Sequence, residues 1–168
     1  LEATRLDDMY KNITTLAKLL GKEKEGKELI AKTKSELEAL KKEPLNKRAI
    51  FLFSSNPLMA FSQNSMMADI LQIIGVTNLT PPSDIQRPII TSEFIVRQNP
   101  NLILISLQAT STQTLIDENP SLKATQAFKD NNIFFYDKVH RLMRISPTIP
   151  EHIKAFKATL IEQMQKNK

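Results

Sequence analysis

The stretch RAIFLFSSNPLMAFSQNSMMADILQIIGVTNLT, residues 48–80, decides the fold. It opens with six largely apolar residues, a pattern typical of a strand that is buried on both faces of a parallel sheet. A polar segment follows, and Ser65 then stands directly before MMADILQII, where it is suited to cap a helix that ends at Gly75. The order strand, loop, helix predicts one unit of an α/β layer fold.

Two later runs have the same character, NLILIS at 101–106 and NIFFYD at 132–137. Helical patterns separate them, because Thr91 is suited to cap SEFIVRQN and the segment SLKATQAFKDN precedes the third strand. A last helix, from about Pro150 to Gln165, carries apolar residues on one face. The predicted fold class is therefore α/β, a small, mostly parallel sheet with flanking helices that forms a Rossmann-like lobe.

Residues 1–47 are predicted to be a long helical segment. A first helix follows Asp7 or Asp8 and is expected to end at Gly21. A second, from about Glu23 to Glu43, has few apolar positions and many Lys and Glu, and its length corresponds to roughly 30 Å. Such a helix lies across a surface along one narrow stripe, and the predicted organisation is a helical segment at 1–47 followed by an α/β lobe at 48–168.

The net charge of +5 does not indicate a nucleic-acid surface. The excess of Lys and Arg is spread over the chain, Lys alternates with Glu, and no aromatic residues are interleaved with the basic ones as a base-stacking surface requires. We therefore expect no nucleic-acid partner. The absence of cysteine fits either a reducing cytoplasm or a bacterial periplasm.

The motifs of several enzyme classes are missing. With only three glycines, the chain can build neither a dinucleotide-binding fingerprint nor a phosphate-binding loop. Ser54 and Ser55 lack the flanking glycines of a nucleophile turn. His140 and His152 have no acidic partner at zinc-site spacing. We expect no enzyme, no intrinsic cofactor and no metal cage formed by this chain alone.

In open α/β sheets, ligands bind beyond the carboxyl ends of the strands. This rule directs attention to three polar segments, SSNPLMAFSQNS at 54–65, LQATSTQT at 107–114 and KVHRLMRISPT at 138–148. A binding site is therefore predicted where these segments meet.

An ordered set of motifs extends over residues 8 to 165. A basic residue and an apolar strand are followed by a small-residue loop, by a helix of the form Ser-x-x-x-[Asp/Glu]-x-Leu-x-x-x-Gly, and by an asparagine; TSEFIVRQNPNLILIS and a closing apolar strand come next. The set resembles the C-terminal lobe of the substrate-binding proteins that serve bacterial ABC importers of iron-siderophores, haem and cobalamin. The matching positions are Ser65, Asp69, Leu71, Gly75, Asn78, Ser92, Glu93, Asn99 and Pro100, whereas Asn101 stands where the family usually has Asp.

The resemblance implies a function in transport. The intact protein would capture a metal chelate between two lobes and deliver it to a membrane permease; a ferric siderophore is the expected cargo, with haem, cobalamin or a nickel chelate as other members of the class. The helix at 23–43 would be the backbone helix that bridges the lobes. The resemblance implies that the family's N-terminal lobe is missing here, either because the chain is a fragment or because that lobe was lost. The implied location is the periplasm. Alternatively, the protein would be lipid-anchored and would face the periplasm or the cell exterior. The alternative is a small flavodoxin-like interaction or regulatory module whose helical segment binds a partner.

The resemblance also implies roles for individual residues. The turn after the last strand faces the cleft in this family, and His140 lies where some iron-siderophore binders have a tyrosine near the metal. A neutral imidazole is a good ligand for iron, nickel or copper, so His140 is predicted to contact the metal of the bound chelate. Arg144 and Arg141 are predicted to pair with carboxylates or catecholates, because a guanidinium group matches planar oxyanions. Further ligand-binding candidates are Arg87, Ser54, Ser55 and Asn56.

One acidic residue is a candidate for docking rather than for ligand binding. Asp69 lies on the helix where family members carry an acidic residue that contacts the permease, although that position can also fall three residues later, at Gln72. We expect His152 to be a surface residue, and Met59, Met66 and Met67 to be core residues or adaptable cleft lining.

Overall fold

A computed structural model describes residues 3–108 and 111–167 of the chain. Two helices come first, α1 (Leu6–Leu19) and α2 (Glu23–Leu40). Gly21 lies between them with a φ of 62°, a left-handed conformation that glycine adopts at little cost. Where the helices cross, a Cβ atom on Gly26 would lie only 2.5 Å from the Cβ of Ala17. The two helices therefore form a closely packed hairpin.

A five-stranded sheet and six further helices complete the described part of the chain. The strands are β1 (Lys47–Ser55), β2 (Leu58–Ala60), β3 (Val76–Asn78), β4 (Leu102–Gln108) and β5 (Ile133–Phe135). The helices are α3 (Met66–Ile73), α4 (Ser92–Gln98), α5 (Thr112–Glu118), α6 (Gln126–Lys129), α7 (Val139–Leu142) and α8 (Ile149–Lys166), with a 3₁₀ turn at Pro120–Ala124.

Strand β1 lies at the centre of the sheet. On one side it pairs in parallel with β4, which pairs in parallel with β5. On the other side, β3 runs parallel to the first residues of β1, and β2 runs antiparallel to its last ones. The parallel strands thus have the spatial order β3, β1, β4, β5, and the direction of winding reverses between β1 and β4. The predicted fold class is confirmed.

Alternation along β1 divides the core in two. Ala49 and Phe51 point to one face of the sheet, and Ile50 and Leu52 to the other. The first core also receives buried residues of α1, α2, α3, α7 and α8, while α4, α5 and α6 cover the second. Since Leu6, Met9 and Leu37 belong to the first core, the helical segment at 1–47 packs directly onto the sheet of the lobe.

The structure corrects the sequence-based prediction in two regions, the end of the first strand and the end of the second helix. Residues 54–65 were predicted to be a polar segment after the strand, whereas β1 extends through Ser55 and the chain returns as β2, with Ser55 opposite Leu58. The physical reason is that Leu58 and Ala60 are buried and continue the sheet. The second helix also ends at Leu40, before the predicted Glu43.

Candidate ligand-binding site

The fold places the candidate site at the carboxyl ends of β1 and β4. In a doubly wound sheet, the crevice at the point where the winding reverses is the usual ligand site. Two described elements border this edge: the turn between β1 and β2, and α7, which begins four residues after β5. Residues 109–110 of the predicted segment 107–114 lie outside the described residues.

The three candidates at the end of β1 differ in accessibility. Ser54 and Ser55 are only 2% and 5% exposed, because both continue the strand. Asn56 is exposed at the turn. The carbonyl oxygen of Ser55 accepts a hydrogen bond of 3.5 Å from the side chain of Asn119. Of the three, only Asn56 presents its side chain to solvent, and a ligand-binding role for the serines stays a prediction.

Arg87 lies against an aromatic ring. Its guanidinium carbon is 4.1 Å from the centroid of the Phe53 ring, within the range of a cation–π interaction. Phe53 is half-buried near the end of β1 and packs against the first core. Sequence reasoning missed Phe53 as a neighbour of the site, since 34 positions separate the two residues and no local pattern connects them.

Helix α7 carries His140 and Arg141, and both are exposed. The helix is fixed from beneath, because Val139 and Leu142 are fully buried. The preceding Tyr136 is 5% exposed and its ring centroid lies 4.6 Å from that of Phe156; burial raises the pKa of its phenol. This anchoring presents the two polar side chains to solvent from a rigid base.

Arg144 follows α7 and is exposed as well. His152 lies in the first turn of α8, where it is half-buried and its Nε2 is 3.5 Å from Oγ1 of Thr148. Thus the described edge bears Arg141 and Arg144 beside His140, and His152 belongs to the start of the last helix.

The structure brings the arginine at β1 and the residues on α7 to the same side of the sheet. Phe53, Val139 and Leu142 all pack against the first core, so Arg87 and α7 share that face. Strand β1, which carries Phe53, and strand β5, which precedes α7, are separated only by β4, roughly 10 Å across the sheet.

Asp69 is not at this edge. It lies on α3, where its carboxylate accepts hydrogen bonds from Nε of Arg5 (2.9 Å), from a terminal guanidinium nitrogen of Arg5, and from the backbone N–H of Leu6 (3.1 Å). The hydrogen bond to Asp69 raises the pKa of the Arg5 guanidinium. Asp69 therefore joins α3 to the start of α1, and Gln72 lies exposed one turn further along α3.

The comparison with protein families decides the identity of the fold. Residues 2–140 match the model of a family described as periplasmic binding protein. This chain belongs to that family. The Fe(3+)-citrate-binding protein YfmC of Bacillus subtilis (strain 168) is 28% identical to it over 144 residues, which make up 82% of this chain and 44% of that protein.

Solved structures agree with this assignment of the fold. A possible iron-binding (periplasmic solute-binding) protein from Staphylococcus epidermidis ATCC 12228 gives a TM-score of 0.80 at 20% identity, over 94% of this chain and 63% of that one. IsdE of S. aureus, complexed with heme, gives a TM-score of 0.75 at 19% identity, over 92% of this chain and 64% of that one. The chain thus spans less than two thirds of the length of each of these relatives.

In this periplasmic binding protein, several residues that carry the sequence motifs hold the fold together. Ser65 caps α3 by accepting a hydrogen bond from the N–H of Ala68. The side chain of Asn78 donates to the carbonyl oxygen of Phe61 and accepts from the N–H of Thr80. These contacts fix the connection that leads from β2 through α3 to β3.

The residues of the motif that precedes β4 also hold the fold together. Asn99 ends α4 in a left-handed conformation, and its side-chain oxygen accepts a hydrogen bond of 2.8 Å from the N–H of Gln126. The side-chain oxygen of Asn101 accepts one of 2.8 Å from the N–H of Arg48. An amide oxygen suffices for this contact, so Asn101 can accept the hydrogen bond that an Asp carboxylate could also accept here.

The three candidate methionines differ in their burial. Met66 and Met67 are buried in the first core, while Met59 is half-buried on β2.

Within residues 3–108 and 111–167, no group of three or more His, Cys, Asp or Glu is arranged to hold a metal ion. In the same part of the chain, no helix is both long and apolar enough to cross a membrane.

Proposed function

We propose that this chain is one lobe of an extracytoplasmic binding protein that captures an iron chelate and delivers it to the permease of an ABC importer. One observation carries the proposal: Arg87, His140, Arg141 and Arg144 lie along the carboxyl edge of the sheet, and none of them forms an ion pair within the described residues. Guanidinium groups that pair with no carboxylate of the described residues are suited to bind the carboxylates or catecholates of a chelate.

His140 adds a possible metal contact to this cationic edge. Its imidazole is exposed on α7, and a neutral imidazole binds iron, nickel and copper. We propose that it approaches the metal through an open position of the bound chelate, since the described residues around it form no cage of their own. Ferric siderophores are the proposed cargo; haem, cobalamin and nickel chelates are the other members of the class.

A single lobe forms only one wall of a cleft. The chain covers 44% of the Bacillus subtilis relative, which binds ferric citrate, so the activity of a whole receptor requires more than these residues. At the end of α1, Leu16, Leu19 and Leu20 are 46%, 76% and 71% exposed, and Leu16 also lines a groove of about 460 Å³ formed by α1, α2 and residues 145–147. We propose that a second lobe covers these leucines in the intact receptor.

We propose that the permease contacts α3, as the family resemblance implies for Asp69. The carboxylate of Asp69 is occupied by Arg5 in this conformation, whereas Gln72 is exposed on the same helix. Docking through Asp69 would require the permease to compete with Arg5 for the carboxylate.

The proposal is tested by isothermal titration calorimetry of the protein with four ligands: ferric citrate, a ferric catecholate, a ferric hydroxamate and haem. Because one wall of a cleft makes only part of the contacts, we expect saturable but weak binding of at least one anionic ligand, with a dissociation constant above about 10 μM. Replacing Arg141 and Arg144 with Gln should weaken that binding. Failure of all four ligands to bind at concentrations up to about 1 mM would overturn the proposal.

The exposed leucines also favour the second candidate function, an interaction module with a helical partner-binding segment. That function predicts stable oligomers that dissociate when Leu16, Leu19 and Leu20 are replaced by Ser. These substitutions are better suited to the test than removal of the helices, because Leu6, Met9 and Leu37 belong to the core of the lobe. A monomer that binds a chelate in sedimentation and titration experiments would exclude this candidate.

A further inference from the structure

A row of aromatic rings leads from the core of the lobe to Arg87. The ring centroid of Phe61 lies 5.2 Å from that of Phe51 and 5.9 Å from that of Phe53, both in edge-to-face geometry. Phe51 and Phe61 are buried, and Phe53 is the outermost of the three. The guanidinium group of Arg87 rests on Phe53. The closely packed rings of the core therefore support Phe53, and Phe53 supports the guanidinium group of Arg87.

The backbone that carries Arg87 is also fixed. Residues 86–90 run antiparallel to β2, and three hydrogen bonds join them: Ser62 N–H to Gln86 O (2.9 Å), Ala60 N–H to Pro88 O (3.1 Å) and Ile90 N–H to Leu58 O (2.9 Å). Arg87 lies between two of these bonds. The side chain and the backbone of Arg87 are therefore held by separate contacts.

The surroundings of this cation are apolar. Ile89 is 67% exposed, and as the second residue after Arg87 in an extended segment it points to the same side. Met59, which pairs with Ile89, is half-buried on β2. A half-buried arginine beside one exposed isoleucine side chain offers both an anion partner and an apolar contact. It suits a ligand that combines negative charge with an apolar or aromatic body.

We infer that Phe53 is a positioning residue that holds Arg87 toward the ligand, and that this pair makes the site selective for anionic chelates with an apolar body over neutral chelates. The inference rests on the proposed function and narrows its ligand class. A ferric catecholate is both anionic and aromatic, ferric citrate is anionic without an apolar body, and a ferric hydroxamate is neutral. The expected order of preference is catecholate, then citrate, then hydroxamate.

The ring of Phe53 acts on the ligand only through Arg87, so its replacement should change selectivity rather than binding in general. Phe53→Leu keeps an apolar side chain but removes the ring face, and we expect the ratio of catecholate to hydroxamate affinity to fall about tenfold. Phe53→Tyr retains a ring face and should restore the ratio. Arg87→Gln should lower the ratio at least as much and should reduce the dependence of catecholate affinity on salt.

Two control variants test whether these effects are specific. Phe128→Leu removes an exposed ring on α6, and Arg97→Gln removes the same positive charge from the exposed end of α4; neither should alter the ratio. Thermal unfolding of each variant shows whether the lobe remains folded.

The outcomes separate this inference from the proposed function. Binding of both chelates by the unaltered protein, with a selective loss of catecholate affinity in Phe53→Leu and Arg87→Gln, supports the inference. Equal losses for both chelates, or no loss for either, overturn the inference and leave the proposed function standing. If the unaltered protein binds none of the four ligands, both the inference and the proposed function are overturned. If it binds ferric citrate or haem but neither of these two chelates, only the inference is overturned.

Discussion

Lys157 on α8 and Leu40 at the end of α2 are joined by a hydrogen bond of 2.9 Å, in which Nζ of the lysine donates to the carbonyl oxygen of the leucine. The lysine is only 9% exposed. The last carbonyl groups of a helix have no partner within the helix, and a cation stabilises them. This one contact therefore fastens the long helix α2 to the last helix of the lobe.

Replacing Lys157 with Met should destabilise the protein by about 1–2 kcal/mol, because the carbonyl of Leu40 loses a charged donor while the apolar stem of the side chain is retained. Lys154→Met is the matched control, since Lys154 is exposed on the same helix. Urea unfolding of both variants measures the difference. Equal stability of the two variants would show that the contact contributes nothing.

Gly75 and Gly21 both have positive φ values, 78° and 62°, but their surroundings differ. A Cβ atom on Gly75 would lie 2.2 Å from the Cβ of Pro44, whereas a Cβ atom on Gly21 would have no neighbour within 4 Å. We expect Gly21→Ala to cost about 1 kcal/mol for its backbone conformation and Gly75→Ala on the order of 3 kcal/mol, because the clash adds to that cost. Denaturant unfolding of both variants separates the cost of the backbone conformation from the cost of the clash. Similar losses in the free energy of unfolding for the two variants would contradict this explanation.

The parts of the fold that were predictable are those in which local pattern and burial agree. The apolar runs at 48–53 and 101–106 became β1 and β4, and Ser65 and Thr91 cap α3 and α4 as expected. Strand β2 was missed because its three residues pair with the end of β1, so its conformation depends on a long-range partner rather than on a pattern of its own.

The candidate site was predictable to a smaller extent. The rule for open α/β sheets directed attention to the segment after β5, where His140 and Arg141 are exposed on α7, and their role in ligand binding stays a prediction. The contact of Arg87 with Phe53 was not predictable, because it joins a strand to a distant loop. Likewise, a sequence motif at Asp69 gives no sign that Arg5 occupies its carboxylate.

The hydrogen bonds of the Asp8 carboxylate lead us to expect that the stability of the folded protein depends on pH. Its Oδ2 accepts hydrogen bonds from Thr4 N–H (3.0 Å), Arg5 N–H (3.1 Å) and the Thr4 hydroxyl (3.2 Å), and these bonds lower the pKa of Asp8. A lowered pKa in the folded state means that the stabilisation is fully present above the unfolded-state value of about 4 and is lost as the pH falls through the folded-state value.

We therefore expect Asp8→Ala to lower the unfolding midpoint by a constant amount between about pH 5 and pH 7, and by a shrinking amount below about pH 4. Asp7→Ala removes the neighbouring, exposed carboxylate from the same helical turn and should give a smaller difference over this range. Thermal unfolding followed by circular dichroism at several pH values measures both. A difference that persists unchanged at low pH would contradict the role assigned to Asp8.

The contact between Arg5 and Asp69 predicts that Asp69 stabilises the fold whether or not it also contacts a permease. Asp69→Ala leaves two nitrogens of Arg5 and the N–H of Leu6 without this acceptor, and the expected loss is about 1 kcal/mol because the arginine side chain is 42% exposed. Gln72→Ala on the same exposed helix face should change the free energy of unfolding by less than about 0.5 kcal/mol. The double variant Arg5→Ala/Asp69→Ala completes a thermodynamic cycle, and additive losses in that cycle would show that the pair does not interact in solution.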